Sequence, residues 1–191
     1  EVTSLDGIVW FIDPIDGTMN FVHQRRNFAI SVGVYINGIG MLGYIYDVMR
    51  DDFYYAMKDE GAYFNDERLP LLEPTSLDEA IVGMNARWVA PNPYVEHEPI
   101  IELIRRVRGT RSYGSAALEL AYVASGRIDA YLSMRLAPWD IAGGMIIARE
   151  VGAIATTMKG ESLSLLGTET FIVANRHIHQ TIIQEHLQCK N

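Results

Sequence analysis

The residues whose types suggest chemistry are bunched at Asp13-Pro14-Ile15-Asp16-Gly17-Thr18, directly after the apolar run Ile8 to Ile12. If the chain turns after Asp13, the carboxylates of Asp13 and Asp16 converge on one point with the Ile15 carbonyl. Hard oxygen donors of that kind suit Mg²⁺ better than Zn²⁺. Gly17 lets the backbone approach a ligand closely, its N–H and that of Thr18 are spaced to cap a phosphate oxygen, and the Thr18 hydroxyl is placed to orient a water. Asp-Pro and Asp-Gly are also ordinary turn pairs, so the stretch taken alone reads equally well as turn chemistry.

A second acidic stretch, Trp139-Asp140-Ile141-Ala142-Gly143-Gly144, stands far downstream. Asp140 is expected at the N-cap or in the first turn of a helix, where free N–H groups and the dipole attract anions. Consecutive glycines in the first turns are poor on helix propensity, so something must offset that cost. The plainer alternative is that Asp140 only caps its helix and the glycines permit tight packing. Together the two stretches supply three carboxylates, a carbonyl, a hydroxyl and backbone N–H groups, which is what metal-assisted phosphoryl hydrolysis requires. No nucleophile triad is evident: Ser112 and Ser115 have no His nearby in sequence, and Cys189 lies at the chain's end.

These residues need elements to hold them. Ile8 to Ile12 reads as a buried strand that Pro14 terminates. Ala29–Ile36 and Met41–Tyr46 read as strands about an Asn37-Gly38 hairpin, and Asp52–Met57 and Gly61–Phe64 continue the meander. Glu79–Asn85 forms one more strand. From His97 the period becomes helical, and Gly109 ends that helix. Arg105, Arg106, Arg108 and Arg111, on the helix and its exit, form either a solvated face or a phosphate patch. Ser115–Ser125, Asp140–Glu150 and His177–Leu187 read as helices, and Asp129–Leu132, Ala153–Thr157 and Thr170–Ala174 as strands. The pattern predicts one α/β domain over residues 1–191, with a first sheet region over 1–90 and a second α/β region over 91–191.

The chain has 191 residues, of which 49% are hydrophobic and 21% charged, enough for one domain with a real core. A net charge of -8 argues against general binding to nucleic acid and obliges an anionic substrate to find cations locally. Cys189 is the sole cysteine, so no intrachain disulfide forms and a reducing compartment is permitted. The longest apolar run, Phe28 to Ile36, is too short to span a bilayer. No signal peptide is visible and the chain opens at Glu1 without an initiator Met; a cytoplasmic location away from membranes is expected.

Asp13 through His23 and Trp139 through Gly152 resemble the two signatures of the inositol monophosphatase family. Arg111-Ser112-Tyr113-Gly114-Ser115-Ala116-Ala117 falls between them, where that family carries a substrate-contacting loop. The resemblance covers essentially the whole chain. It implies an α/β fold of the layered α-β-α-β-α sandwich type, Mg²⁺-dependent hydrolysis of small phosphate monoesters, lithium sensitivity and a homodimer. Asp13, Asp16, Asp140 and the Ile15 carbonyl would hold metal, and Asp13, Asp16 and Thr18 would be catalytic. Asp16, Gly17, Thr18, Gly114, Ser115, Ala116, Ser133, Arg135 and Asp140 would contact substrate.

Two features depart from the family pattern. Its members carry an upstream helical segment with a Gly-Glu-Glu stretch that supplies a further metal-ligating Glu, whereas only twelve residues precede Asp13 and Glu1 has the wrong neighbours. The expectation is an N-terminal helical part missing from the sequence in hand. Members specialised for inositol also tend to carry a Glu at the position of Ser133, which is short and neutral, with Arg135 adding a cation nearby. That predicts broadened specificity, or a phosphatase acting mainly on NADP(H) or a sugar bisphosphate. A different class of reading is a catalytically weak regulatory protein that keeps the fold for interaction. His23, Trp10 and Trp139 are expected in structural roles, the two tryptophans packing beside the site, with the Asn20 amide bracing the loop.

Overall fold

The Asn37-Gly38 turn sets the register of the first sheet. Both residues take positive φ, 50° and 77°, as a tight hairpin needs. They join β2 (Ala29–Ile36) to β3 (Ile39–Asp47). With β1 (Ile8–Asp16), β4 (Asp52–Met57), β5 (Gly61–Phe64) and β6 (Glu67–Arg68) these make a six-stranded antiparallel meander in chain order. The computed structural model describes residues 3–187, so Glu1 and Cys189 lie outside the described residues.

Strand β1 does not end at Asp13. Its pairing with β2 is regular to Asp13↔Ser31, slips across Pro14 and Ile15, and resumes at Asp16↔Ala29. Pro14, which has no N–H to give a ladder, makes an irregularity within the strand instead of closing it. The outcome is that Asp13 and Asp16 sit on either side of a bulge. An unforeseen short helix, α1 (Thr18–Gln24), follows.

The second sheet has the order β10-β11-β9-β7-β8, built from β7 (Ile81–Met84), β8 (Gly109–Arg111), β9 (Ala130–Leu136), β10 (Ile154–Thr156) and β11 (Glu169–Ala174). Strand β7, grouped on sequence with residues 1–90, belongs to this sheet and pairs in parallel with both β8 and β9. Val82 and Met84 bury beside Leu132 and Ile172, a partnership of distant segments that no local pattern announces.

Helices α3 (Ala116–Ala124) and α4 (Pro138–Glu150) fill the space between the sheets. Helix α4 lies on β1 to β5 and against α3, and α3 lies on β9 and β11. On the far face of the second sheet, Ile100 and Leu103 of α2 (His97–Arg106) and Ile178 and Ile182 of α5 (Arg176–Glu185) complete a second apolar cluster. The described residues thus supply β, α, β and α layers of the layered sandwich. The outer face of the first sheet carries no helix among the described residues. There Ile8, Trp10, Ile12, Ile30 and Met57 are exposed, and Tyr44, Phe53, Tyr55 and Tyr63 stack ring on ring. Trp10 and Trp139 are therefore not packed as expected: both are more than half exposed, at 60% and 51%.

The expected offset for the α4 glycines is backbone contact with the sheet. A Cβ on Gly43 would stand 2.3 Å from the Gly143 carbonyl oxygen, and one on Gly143 would stand 2.6 Å from that of Val32. Helix and sheet touch main chain to main chain, which brings the start of α4 level with the bulge of β1. Gly43→Ala should therefore cost about 1–3 kcal/mol in denaturant unfolding. Gly167→Ala, with no atom of the described residues within 4 Å of its added methyl, should stay within about 0.5 kcal/mol of the parent.

Candidate active site

The bulge of β1 and the first turn of α4 meet. Oxygens of Asp13, Asp16 and Asp140 lie within 4.8 Å of one another. Each carboxylate is oriented by a local bond. Asp13 Oδ1 accepts the Ile15 N–H at 3.0 Å, which folds the bulge back on itself. Asp140 is the third residue of α4 and accepts the Ala137 N–H at 2.8 Å, with Pro138 starting the helix. Asp16 is buried, accepting the Ser115 hydroxyl and, at 2.8 Å, the Ala117 N–H, so it caps the start of α3 from outside that helix.

Gly17, at φ 86°, turns the chain from β1 into α1. A Cβ there would stand 3.1 Å from Ser115 Cβ and 3.3 Å from the Gly114 carbonyl oxygen, so the first acidic stretch and the 112–115 loop touch. The Thr18 hydroxyl donates to the Ile15 carbonyl at 3.0 Å, which leaves its lone pairs free to accept. Asn20 donates from Nδ2 to the carbonyls of Tyr113, at 2.6 Å, and Asn27, at 2.8 Å, bracing the loop as expected.

A cavity of about 240 Å³ opens beside the carboxylates. Of the residues anticipated on sequence, Asp16, Gly114, Ser115, Ala116, Ser133 and Asp140 line it. Asp13, Ile15, Gly17 and Thr18 stand outside that lining, joined to it through Asp16. Arg135 is exposed and is not part of the wall. The cationic side chain that does line the cavity is Arg87, which lies over the Trp88 ring at 4.8 Å. Asn85, Arg87 and Trp88 were missed because they follow β7, whose parallel pairing with β9 (Met84↔Leu132) carries them to Ser133. Glu119 was also missed, although one acid in the otherwise apolar run Ala116–Ala124 was a readable signal.

The electrostatics are those of carboxylates short of counter-charge. Burial pushes the Asp16 carboxyl up to about 7; the Ser115 and Ala117 bonds pull it down, and Asp140 and Asp13 push it further up. Burial raises Asp140 too, against the pull of the Ala137 N–H and with a push from Asp13. Burial likewise holds Glu119 at about 7. A divalent cation fits this donor set: the ligands are hard, they converge, and a positive charge would relieve both repulsion and desolvation.

The sign of the pH dependence follows. Between about 4 and 7 the folded chain holds protons on Asp16 and Glu119 that the unfolded chain, with ordinary values of 3.8 and 4.5, has released. Stability of the metal-free protein should fall as pH rises through that window. Thermal melts in EDTA should drop by several degrees from pH 5 to pH 7.5, and MgCl₂ at pH 7.5 should restore them.

The inositol monophosphatase family model matches residues 1–191. An inositol-1-monophosphatase of Bacillus subtilis (strain 168) is 53% identical over 190 residues, spanning 100% of this chain and 72% of that protein. Staphylococcal IMPase-II, solved with inositol monophosphate bound, superposes with a TM-score of 0.94 at 43% identity over 98% of this chain and 72% of that one. The same enzyme solved with 2'AMP bound gives the same TM-score and identity, over 98% and 71%. An IMPase/NADP phosphatase complexed with Mg²⁺ and phosphate superposes with a TM-score of 0.86 at 29% identity, covering 93% of this chain and 66% of that one. The fold and these matches agree that the chain belongs to the inositol monophosphatase family and is a phosphatase of that type.

Proposed function

We propose that the cation at this site is Mg²⁺ and that residues 1–191 act as one domain hydrolysing small phosphate monoesters. The observation that carries the reading is the convergence of Asp13, Asp16 and Asp140 oxygens within 4.8 Å beside a substrate-sized cavity. The Ile15 carbonyl joins them as ligand. Bound there, the cation supplies Lewis acidity toward a water and toward the phosphoryl oxygens. The chain does the rest. Asp13, Asp16 and Asp140 fix the position of that charge. The Thr18 hydroxyl, already donating to Ile15, accepts a hydrogen bond from the attacking water and so aims it. The N–H groups of Gly17 and Thr18 meet the phosphate, and Gly114, Ser115 and Ala116 take the organic part of the substrate, with Ser133 toward its outer end. Alignment and charge stabilisation suffice for phosphoryl transfer, which needs no covalent nucleophile.

A second reading, a preference for NADP(H) or a sugar bisphosphate, is favoured by the neutral Ser133 and by Arg87 on the cavity wall. One neighbour solved with 2'AMP bound and another named an IMPase/NADP phosphatase support it. Lithium sensitivity and a homodimer are carried over from the family, and a cytoplasmic location from the sequence; no helix among the described residues is long and apolar enough to cross a membrane. The exposed outer face of the first sheet offers apolar area for an upstream helical segment to bury.

Phosphate release from inositol monophosphate, 2'-AMP, NADP and fructose bisphosphate, each with and without MgCl₂, tests the reading. Release from at least one monoester should need Mg²⁺ and fall with LiCl. Asp16→Asn and Asp140→Asn should each lower kcat/KM by about 10²-fold or more while leaving the melting temperature in EDTA unchanged or higher. Release that needs no metal would overturn the Mg²⁺ role, and no release from any monoester would favour the interaction protein over the enzyme.

A further inference from the structure

Helix α3 has little room for a charge. Ala117, Leu118, Leu120, Ala121 and Val123 are fully buried between the two sheets, and Glu119 sits among them at 2% exposure. A carboxyl desolvated to that degree is normally accounted for by what it holds.

Glu119 Oε1 accepts the Tyr113 N–H at 2.8 Å, and the Gly114 N–H also faces its carboxylate. Oε2 is buried with no hydrogen-bond partner among the described residues, pressed toward Gly83 of β7, where a Cβ would come within 2.4 Å of it. The same stretch of chain is held from the opposite side by Asn20, whose amide donates to the Tyr113 carbonyl at 2.6 Å. Tyr113 is thus gripped at its N–H by α3 and at its C=O by α1. The segment between these grips has no helix or strand to fix it, yet it leads into Gly114, Ser115 and Ala116 on the cavity wall. Ser115 and Ala117 in turn hold Asp16.

We propose that Glu119 is a positioning residue: its buried carboxyl fixes the Ser112–Ser115 loop at the height the substrate requires and so sets substrate affinity. The inference rests on the phosphomonoesterase reading above. Without the carboxyl, the Tyr113 and Gly114 N–H groups lose their acceptor and the loop leaves the substrate's outline, while the metal ligands on β1 and α4 keep their own bonds. An amide in the same place retains an accepting oxygen, so Glu119→Gln keeps the grip and Glu119→Ala releases it. Gly83 gives a second handle from outside the loop, because Gly83→Ala pushes a methyl onto Oε2.

The test compares the parent with Glu119→Gln, Glu119→Ala, Gly83→Ala and Ile182→Ala, the last a cavity variant in the distant second cluster. The readouts are steady-state kinetics on inositol monophosphate with saturating MgCl₂, and amide hydrogen exchange at Tyr113 and Gly114. Glu119→Ala should raise KM about tenfold with kcat within about threefold, and speed exchange at both amides. Glu119→Gln should remain near the parent in both readouts. Ile182→Ala should lower the melting temperature without moving KM, which separates positioning from general loss of stability. Should Glu119→Ala fail to fold, Gly83→Ala carries the same expected rise in KM and in exchange. Faster exchange with unchanged KM would overturn the positioning role, and so would an equal rise in KM in Ile182→Ala. Unchanged exchange in Glu119→Ala would overturn the grip itself. A parent that releases no phosphate would overturn the functional reading and the role in affinity with it, while the exchange data would still decide whether the grip exists.

Discussion

Three carboxylates held within 4.8 Å of one another are a standing cost, and the rest of the structure is arranged around tolerating it. Like charges at that spacing repel, and the burial of Asp16 and partial burial of Asp140 remove the water that would screen them. A chain selected for stability alone would separate them or replace one with an amide. Keeping them together makes sense when a cation completes the group, because one divalent charge turns a repulsive cluster into a coordinated one.

The fold meets the cost with rigid main-chain contacts instead of flexible side-chain pairing. The bulge at Pro14 and Ile15 turns Asp13 and Asp16 toward the same place, and Asp13 steadies the bulge through the Ile15 N–H. Helix α4 reaches that place because Gly43 and Gly143 let sheet and helix meet at backbone distance. Asp16 uses its own acceptors on the start of α3, tying the acidic group to the 112–115 loop. One side of the constellation cannot shift without moving the other, the preorganisation that charge stabilisation of a phosphoryl transition state requires.

Much of this was readable from residue types. The hairpin, the meander, the interior helices and the convergence of Asp13, Asp16 and Asp140 follow from turn chemistry, periodicity and the grouping of hard ligands. What escaped depends on pairing between distant segments. Placing Ile81–Met84 in the second sheet, and hence Asn85, Arg87 and Trp88 on the cavity wall, requires the parallel pairing of β7 with β9, which leaves no local trace. Arg135 was the natural cation to name beside Ser133 in sequence, yet it stands exposed off the wall that Arg87 lines. Pro14, lacking an N–H, reads in sequence as the end of a strand, but the sheet absorbs it as a bulge and resumes. Glu119 is legible as one acid in an apolar helix, but the Tyr113 and Gly114 N–H groups that face it come from the loop before α3, which the helical pattern does not place.

The central claim is that Asp13, Asp16 and Asp140 are one cation site and not three separate turn and cap residues. Calorimetric titration of Mg²⁺ at pH 7 in two buffers of different ionisation enthalpy tests it directly. The account predicts saturable binding accompanied by proton release, since the Asp16 carboxyl, pushed up to about 7, must give up its proton to serve as a ligand. Binding and proton release should both vanish in Asp140→Asn. Absence of Mg²⁺ binding in the parent, or binding that survives unchanged in Asp140→Asn, would contradict it.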